Sequence, residues 1–275
     1  MEKYVAFLDI LGFKNKMSTI NQCEAEELIR EFSASIYHIW RSDEYCTING
    51  YVVSDSLIVY SKDTSQNSLR EIIDVIKKIC QEEFSLNSIL IRGAIAKGDF
   101  KNMPAAELPN LSKGLIVGNA YIEAYTLESS VKTLGIVLTN EVYEDYLNVF
   151  GEQKDVVKEN EKIVLRYLDI DYILENNNLL NFVNLAIESN WLPHYYNTIY
   201  FALKNSGNAK KVDQVFINII SIISRKQEWR YLDTFIKNAF KDEVEVNFQT
   251  MFLRFIRQSL PSGDNDEIVA SNLGL

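Results

Sequence analysis

The spacing of apolar residues divides the chain into two regions. Through residue 172, short runs rich in β-branched residues alternate with segments whose apolar residues recur every three or four positions. The first pattern predicts strands and the second predicts helices. From residue 173 onward the strand pattern largely disappears, and the helical spacing continues past a polar stretch at residues 176–178. The sequence therefore predicts an α+β domain over residues 1–172 and an all-α module over residues 173–275.

The order of the predicted elements indicates the type of sheet. Strands are predicted at residues 2–10, 46–53, 56–61, 88–96, 134–139 and 162–168, with a loop at 99–113. Helices are predicted at residues 22–41, 65–84, 118–130 and 141–150, and in the second region at 179–189, 195–204, 211–224, 228–240 and 246–258. The first six elements run strand, helix, strand, strand, helix, strand, which is the order of a ferredoxin-like sheet. We expect that sheet, with added strands and flanking helices.

Two aspartates stand where predicted strands end. Asp9 closes the apolar run that starts at Val5, and Asp55 lies in the two-residue break between two strands. So short a break predicts a hairpin with Asp55 at its tip. A single aspartate at a strand end is most often a cap or turn residue. In a ferredoxin-like sheet, however, the first strand ends beside this hairpin, so we expect Asp9 and Asp55 to be neighbours.

Neighbouring carboxylates at a sheet edge suit a hard divalent cation. Mg²⁺ and Mn²⁺ take oxygen ligands and share them with substrate phosphates. The turn formed by Ile10, Leu11, Gly12 and Phe13 would place backbone N–H groups beside such an ion, where they suit a triphosphate. Arg92 interrupts an apolar run in a later strand. Its ordinary interpretation is an ion pair at the sheet edge, and its functional interpretation is a cation that faces phosphate.

Composition removes several classes of function. Hydrophobic residues make up 47% of the 275 residues, and the net charge of −10 argues against a general nucleic-acid binder. Two histidines leave few ligands for a zinc site or a serine triad. Cys23, Cys46 and Cys80 lack metal-site spacing and indicate free thiols in a reducing compartment. We find neither a leader pattern nor a span of apolar residues, so we expect a cytoplasmic protein without membrane or nucleic-acid partners.

Three stretches resemble one enzyme family. Residues 7–13 (FLDILGF) are similar to the strand and turn signature of class III nucleotide cyclases, and the separation of Asp9 from Asp55 is close to that of the family's metal aspartates. Residues 91–98 (IRGAIAKG) resemble the family's strand with a triphosphate-binding arginine. Residues 118–128 (GNAYIEAYTLE) resemble its helix after a glycine turn. The resemblance covers roughly residues 3–170.

The resemblance implies a site and an assembly. Asp9, Asp55 and the carbonyl of Ile10 would hold two Mn²⁺ or Mg²⁺ ions, and Arg92 would contact the triphosphate. The family's active sites lie at a homodimer interface, so the resemblance also implies a homodimer. The substrate would be a nucleoside triphosphate whose 3′-hydroxyl attacks its own α-phosphate.

The chain departs from the family at three positions. Tyr51 stands where adenylate cyclases have a base-reading lysine, although it could equally pack against the sheet. Ile122 and Thr126 stand where the family has its transition-state asparagine and arginine. Their role would have to pass to another polar residue. The candidates are Arg92, Asn119, Lys158, Lys162 and Arg166.

A subgroup resembles the chain more closely, namely the pyrimidine cyclases of bacterial Pycsar anti-phage defence. That resemblance implies conversion of UTP or CTP to the 3′,5′-cyclic monophosphate and pyrophosphate. We favour UTP over CTP as the substrate. Tyr51 fits this reaction because a smaller pyrimidine leaves room for a bulkier reader of the base. Two alternatives stay open: another palm-fold nucleotidyl-transferring enzyme, and a catalytically silent nucleotide sensor or scaffold. An adjacent acidic pair, typical of the first alternative, is absent from Ser54-Asp55-Ser56.

Overall fold

The computed structural model describes residues 1–41, 47–103, 115–159, 161–175, 177–189, 193–204 and 209–225. The chain forms two compact units, one of residues 1–169 and one that starts at Ile170. The predicted helices at 228–240 and 246–258, Cys46 and most of the predicted loop 99–113 lie outside the described residues.

The first unit is built from alternating strands and helices. Its strands are β1 (Glu2–Ile10), β2 (Ile48–Val53), β3 (Ser56–Ser61), β4 (Ile91–Asp99), β5 (Lys101–Met103), β6 (Leu115–Val117), β7 (Ile136–Leu138), β8 (Val156–Glu159) and β9 (Lys162–Leu165). Its helices are α1 (Phe13–Met17), α2 (Gln22–Trp40), α3 (Gln66–Asn87), α4 (Asn119–Glu128) and α5 (Asn140–Phe150).

The main sheet has the order β2-β3-β1-β4-β7-β9-β8. Its first four strands have the ferredoxin-like arrangement, with β1 between β3 and β4 and antiparallel to both. Strand β7 then pairs with β4 in parallel, and the β9–β8 hairpin completes the sheet. The predicted α+β fold class is confirmed. The sequence prediction missed the short elements α1, β5, β6 and β8.

Strand β4 begins later than predicted, and the reason lies in its flanking helix. The prediction placed this strand at residues 88–96, whereas the structure has it at Ile91–Asp99. Ser88 adopts φ 53° and caps the C-terminus of α3, so the chain is still leaving the helix there. Strand pairing with β1 continues to Asp99, which lies opposite Glu2.

The two faces of the sheet carry different helices. Side chains alternate along β1, so Val5, Phe7 and Asp9 share one face, and Tyr4 and Leu8 share the other. Helix α4 packs on the first face, which we call the α4 face, where Phe7 contacts its aromatic residues. Helix α5 lies on the opposite face, where its Asp145 accepts a hydrogen bond from the Tyr4 hydroxyl.

Small residues let α4 approach the sheet closely. Ala120 and Ala124 are fully buried in the core of the α4 face. Gly118 precedes the helix with φ 156°, and a Cβ there would stand 2.1 Å from the carbonyl oxygen of Asp99. Only glycine tolerates that backbone and that approach. The start of α4 is therefore fixed against the end of β4.

The described elements of the second unit are helices. They are α6 (Ile170–Leu174), α7 (Asn178–Glu188), α8 (Pro193–Lys204) and α9 (Ala209–Arg225). Phe182 of α7 packs edge-on against Tyr195 of α8, with ring centroids 5.4 Å apart. None of the helices that the structure describes is long and apolar enough to cross a membrane.

Candidate active site

Asp9 and Asp55 lie side by side, as their positions at the strand ends predicted. Strands β2 and β3 are joined by the two-residue turn Ser54-Asp55, in which Ser54 has φ 58°. Asp9 lies opposite Ser56 in the ladder of β1 and β3, and Ser56 Oγ donates a hydrogen bond of 3.2 Å to Asp9 Oδ1. The backbone N–H of Ile10 donates to the Asp55 carbonyl oxygen at 3.2 Å. The hairpin tip is thereby held against the end of β1.

The local charge is unfavourable for the Asp9 carboxylate. Burial raises the pKa of Asp9 above its ordinary value, and repulsion from the Asp55 carboxylate raises it further. The hydrogen bond from Ser56 and the charge of Arg92 act in the opposite direction without cancelling this rise. A cation between the two carboxylates would remove the repulsion.

Arg92 joins the same site from β4. It lies directly opposite Asp9 in the ladder of β1 and β4, and its Nη2 stands 3.7 Å from Asp9 Oδ2. Its Nε forms an ion pair with Oε1 of Glu128. This position suits both interpretations made from the sequence, an ion pair at the sheet edge and a cation that faces phosphate. The structure adds a specific partner, Glu128, from another element.

Glu128 is the residue that sequence reasoning missed. It is the last residue of α4, and only 8% of its side chain is exposed. Burial raises the pKa of Glu128, the charge of Arg92 opposes that rise, and Asp9 adds to it. The spacing held a signal, because Ala120, Ala124 and Glu128 follow one another at four-residue intervals on the buried face of the helix.

The turn after Asp9 offers fewer free amides than predicted. Ile10 N–H bonds the Asp55 carbonyl, and Leu11 N–H bonds the Leu90 carbonyl at 2.8 Å. Gly12 has φ 76° and starts the short helix α1 at Phe13. In the described structure, the Gly12 and Phe13 amides have no backbone acceptor. The amides of Gly12 and Phe13 are therefore open to a bound phosphate, whereas those of Ile10 and Leu11 hold the turn in place.

Tyr51 lies on the α4 face, two strands from Asp9. It is paired with Ile58 of β3, and its ring stacks on Tyr60 with centroids 6.0 Å apart. Burial and a hydrogen bond with Tyr60 raise the pKa of Tyr51. A cavity of about 470 Å³ opens beside it, with Trp40 and Arg41 among its lining residues. Tyr51 thus both packs on the sheet and borders open space.

The other positions named from the sequence lie apart from the aspartates within this chain. Asn119 is exposed at the start of α4, and Lys162 begins β9, which is separated from β4 by β7. Arg166 is 3% exposed and donates to the Lys154 carbonyl. Ile122 is 60% exposed, and the Thr126 hydroxyl donates to its carbonyl. Neither of the last two supplies a cation.

The donor set fits a hard divalent cation. Asp9, Asp55 and the Ile10 carbonyl offer only oxygen atoms, which Mg²⁺ and Mn²⁺ prefer. Asp9 and Glu128 each pair with Arg92, and the Asp55 carboxylate repels that of Asp9, so these four side chains, when ionised, sum to two negative charges. Within the described ranges, no three His, Cys, Asp or Glu side chains form a metal cluster. Carbonyl, water or substrate oxygens would complete the coordination.

Comparison with known proteins returned solved structures alone. No protein-family model matches the chain, and no curated protein does. The adenylyl cyclase CyaB from P. aeruginosa is similar at 16% identity and a TM-score of 0.46, over 59% of this chain and 91% of that one. A dimeric guanylyl cyclase domain of the RhoGC fusion protein from Blastocladiella emersonii is similar at 15% identity and a TM-score of 0.48, over 59% of this chain and 91% of that one. The guanylate cyclase domain of RhGC from Catenaria anguillulae, in complex with GTP, is similar at 17% identity and a TM-score of 0.39, over 52% of this chain and 81% of that one.

Proposed function

We propose that the protein is a nucleotide cyclase that converts a pyrimidine nucleoside triphosphate, UTP before CTP, to its 3′,5′-cyclic monophosphate and pyrophosphate. The observation that carries the proposal is the meeting of Asp9, Asp55 and Arg92 at one sheet edge, with more negative than positive charge. The sequence resemblance to the Pycsar cyclases supports the choice of substrate and a role as a second-messenger signal in anti-phage defence.

The reaction is intramolecular. The 3′-oxygen forms a bond to the α-phosphorus, the bond from that phosphorus to the bridging oxygen breaks, and the hydroxyl proton passes to solvent. Asp9, Asp55 and the Ile10 carbonyl would hold two Mn²⁺ or Mg²⁺ ions, which when bound lower the pKa of the hydroxyl and neutralise charge on the leaving pyrophosphate. Arg92 would bind the triphosphate, and the free amides of Gly12 and Phe13 would bind a phosphate oxygen.

We propose that the enzyme acts as a homodimer. Large apolar side chains on and near α4 are exposed on the face that carries Asp9, among them Ile122 at 60% and Tyr125 at 57%. Val53 beside the hairpin tip is also 60% exposed. A second copy of the chain would cover these side chains and bring its own α4 to the site, where the exposed Asn119 is a polar group that could act in place of Ile122 and Thr126.

One observation favours a second candidate function. Ile122 offers no polar group, and the Thr126 hydroxyl is engaged within its own helix. If no other residue takes over their role, the protein would bind a nucleotide without cyclising it and would serve as a sensor or scaffold. The two functions share the same binding site and differ in turnover.

Product analysis distinguishes the two functions. Purified protein is incubated with Mn²⁺ and each of the four nucleoside triphosphates, and products are resolved by chromatography. Cyclic UMP or cyclic CMP is expected from the wild type, and at least a hundredfold less, about 2.7 kcal/mol in the barrier, from Asp55→Ala. Glu144→Gln, an exposed change on α5, is the matched control and is expected to match the wild type. Binding without product would favour the sensor, and neither binding nor product would refute both.

Base preference tests the role of Tyr51 separately. If Tyr51 reads the base, Tyr51→Ala lowers kcat/KM for the preferred pyrimidine and leaves the rates with other triphosphates unchanged or higher. Tyr51→Phe retains the stack on Tyr60 and separates the hydroxyl from the ring. A Tyr51→Ala variant with the wild-type order of substrates would remove Tyr51 from the specificity argument and leave the metal site untouched.

A further inference from the structure

We propose that Glu128 is a positioning residue that holds the Arg92 guanidinium in the orientation in which it binds the triphosphate. The inference rests on the proposed function, since it concerns the same site. It starts from the ion pair between Arg92 Nε and Glu128 Oε1, which connects the end of α4 to β4.

The contact uses the part of the guanidinium that phosphate does not need. Arginine has five N–H donors, one on Nε and four on the two Nη atoms. The ion pair with Glu128 is made at Nε, and the Arg92 Nη2 to Asp9 Oδ2 separation of 3.7 Å is longer than a hydrogen bond. Both Nη groups stay available for phosphate oxygens, so Glu128 orients Arg92 without sequestering it.

Burial makes this orientation rigid. The Glu128 side chain is 8% exposed and that of Arg92 is 24% exposed. Glu128 follows Ala120 and Ala124 on the buried face of α4, and the start of that helix is fixed by Gly118 against β4. A guanidinium held from a packed helix loses less side-chain entropy when it binds a ligand than a free one does.

A carboxylate at position 128 is electrostatically unfavourable for the site unless it binds Arg92. The Glu128 carboxylate adds a third negative charge near Asp9, which by itself disfavours folding of the cluster. A packed apolar residue at the end of α4 would avoid that charge. A carboxylate there has a clear use when it must hold an arginine that is directed toward substrate.

The test measures binding and turnover in four proteins: wild type, Glu128→Ala, Arg92→Ala and the double variant. Binding of α,β-methylene UTP with Mn²⁺ is measured by calorimetry, because this analogue cannot release pyrophosphate. Glu128→Ala is expected to raise its Kd and the KM for UTP at least about tenfold, with kcat changed less than about threefold. In the Arg92→Ala background, the same change is expected to have an effect below about twofold.

Glu128→Gln keeps an acceptor of the same length and serves if the alanine variant folds poorly. It is expected to bring KM back to within about threefold of wild type, with Glu144→Gln as the exposed control. Wild-type KM in a folded Glu128→Ala, or equal losses with and without Arg92, would overturn the inference and leave the proposed function intact. A wild type that neither binds nor converts any triphosphate would overturn both.

Discussion

Strands β1 and β4 carry two charged clusters on opposite faces, and the clusters differ in balance. On the face of α5, Asp145 accepts from the Tyr4 hydroxyl at 2.8 Å and pairs with Lys97 at 2.7 Å. On the α4 face, Asp9 and Glu128 both pair with the guanidinium of Arg92, and the Asp55 carboxylate of the neighbouring hairpin tip repels that of Asp9. We call the first the Asp145 cluster and the second the Asp9 cluster.

In the Asp145 cluster one carboxylate pairs with one ammonium and accepts from a neutral hydroxyl, and the charges of Glu2 and Glu141 further favour the charged form of Lys97. The pKa of Lys97 is raised chiefly by its hydrogen bond with Asp145, which means that the pairing favours the charged form. In the Asp9 cluster, burial and like charge raise the pKa of Asp9 and act against the charged form. Paired opposite charges need no further ion, whereas the repulsion at Asp9 favours the binding of a cation. The repulsion at Asp9 therefore indicates a functional site, and the pairing at Asp145 indicates a structural one.

Loss of the Asp145 carboxylate should lower the stability of the fold and leave the activity nearly unchanged. Asp145→Ala leaves the Lys97 ammonium without its carboxylate and the Tyr4 hydroxyl with only the longer contact of 3.4 Å to the Thr64 carbonyl, so the free energy of unfolding should fall by about 2 kcal/mol. Urea denaturation followed by circular dichroism measures it, with the exposed Glu144→Gln as the control. At a temperature where the variant stays folded, kcat/KM should stay within about twofold of wild type. A loss of activity like that of Asp55→Ala would mean that the two clusters are not separate.

Metal addition should act on one cluster alone. Mn²⁺ at ten times its Kd stabilises the folded wild type by about 1.4 kcal/mol, and the melting temperature rises accordingly. The rise should disappear in Asp55→Ala, which lacks one oxygen-donor side chain, and persist in Asp145→Ala. Chelation should return each protein to its metal-free melting temperature. An equal rise in Asp55→Ala would place the metal elsewhere.

The sequence was sufficient for those parts of the fold that depend on local pattern. The β-branched run ending at Asp9 and the two-residue break at Ser54-Asp55 have structural signatures that need no distant partner. The ferredoxin-like order of elements then brought Asp9 and Asp55 together. The short elements α1 and β8 were missed because five or four residues are too few to show a period.

The rest of the site depended on contacts that a pattern does not contain. Glu128 meets Arg92 because α4 docks on β4, and neither residue's neighbours in sequence indicate the other. The amides of Ile10 and Leu11 looked available in the turn, but the hairpin carbonyl of Asp55 and the carbonyl of Leu90 occupy them. Such pairings follow from tertiary docking, which the local sequence pattern does not encode.

Without metal, the contribution of Asp9 to the free energy of unfolding should change modestly with pH. The pKa of Asp9 is raised above 3.8 in the folded chain, so folding favours the protonated carboxyl. The stability from this group is full below about pH 3.8 and is lost as pH rises through the folded pKa. Asp9→Asn stays neutral, so without metal it should exceed wild type by up to about 1 kcal/mol near pH 7 and match it near pH 3. Urea titrations in chelator at both pH values measure the difference, from which groups common to both proteins cancel. A difference independent of pH would show that repulsion at Asp9 does not oppose folding, and the imbalance between the clusters would then need another cause.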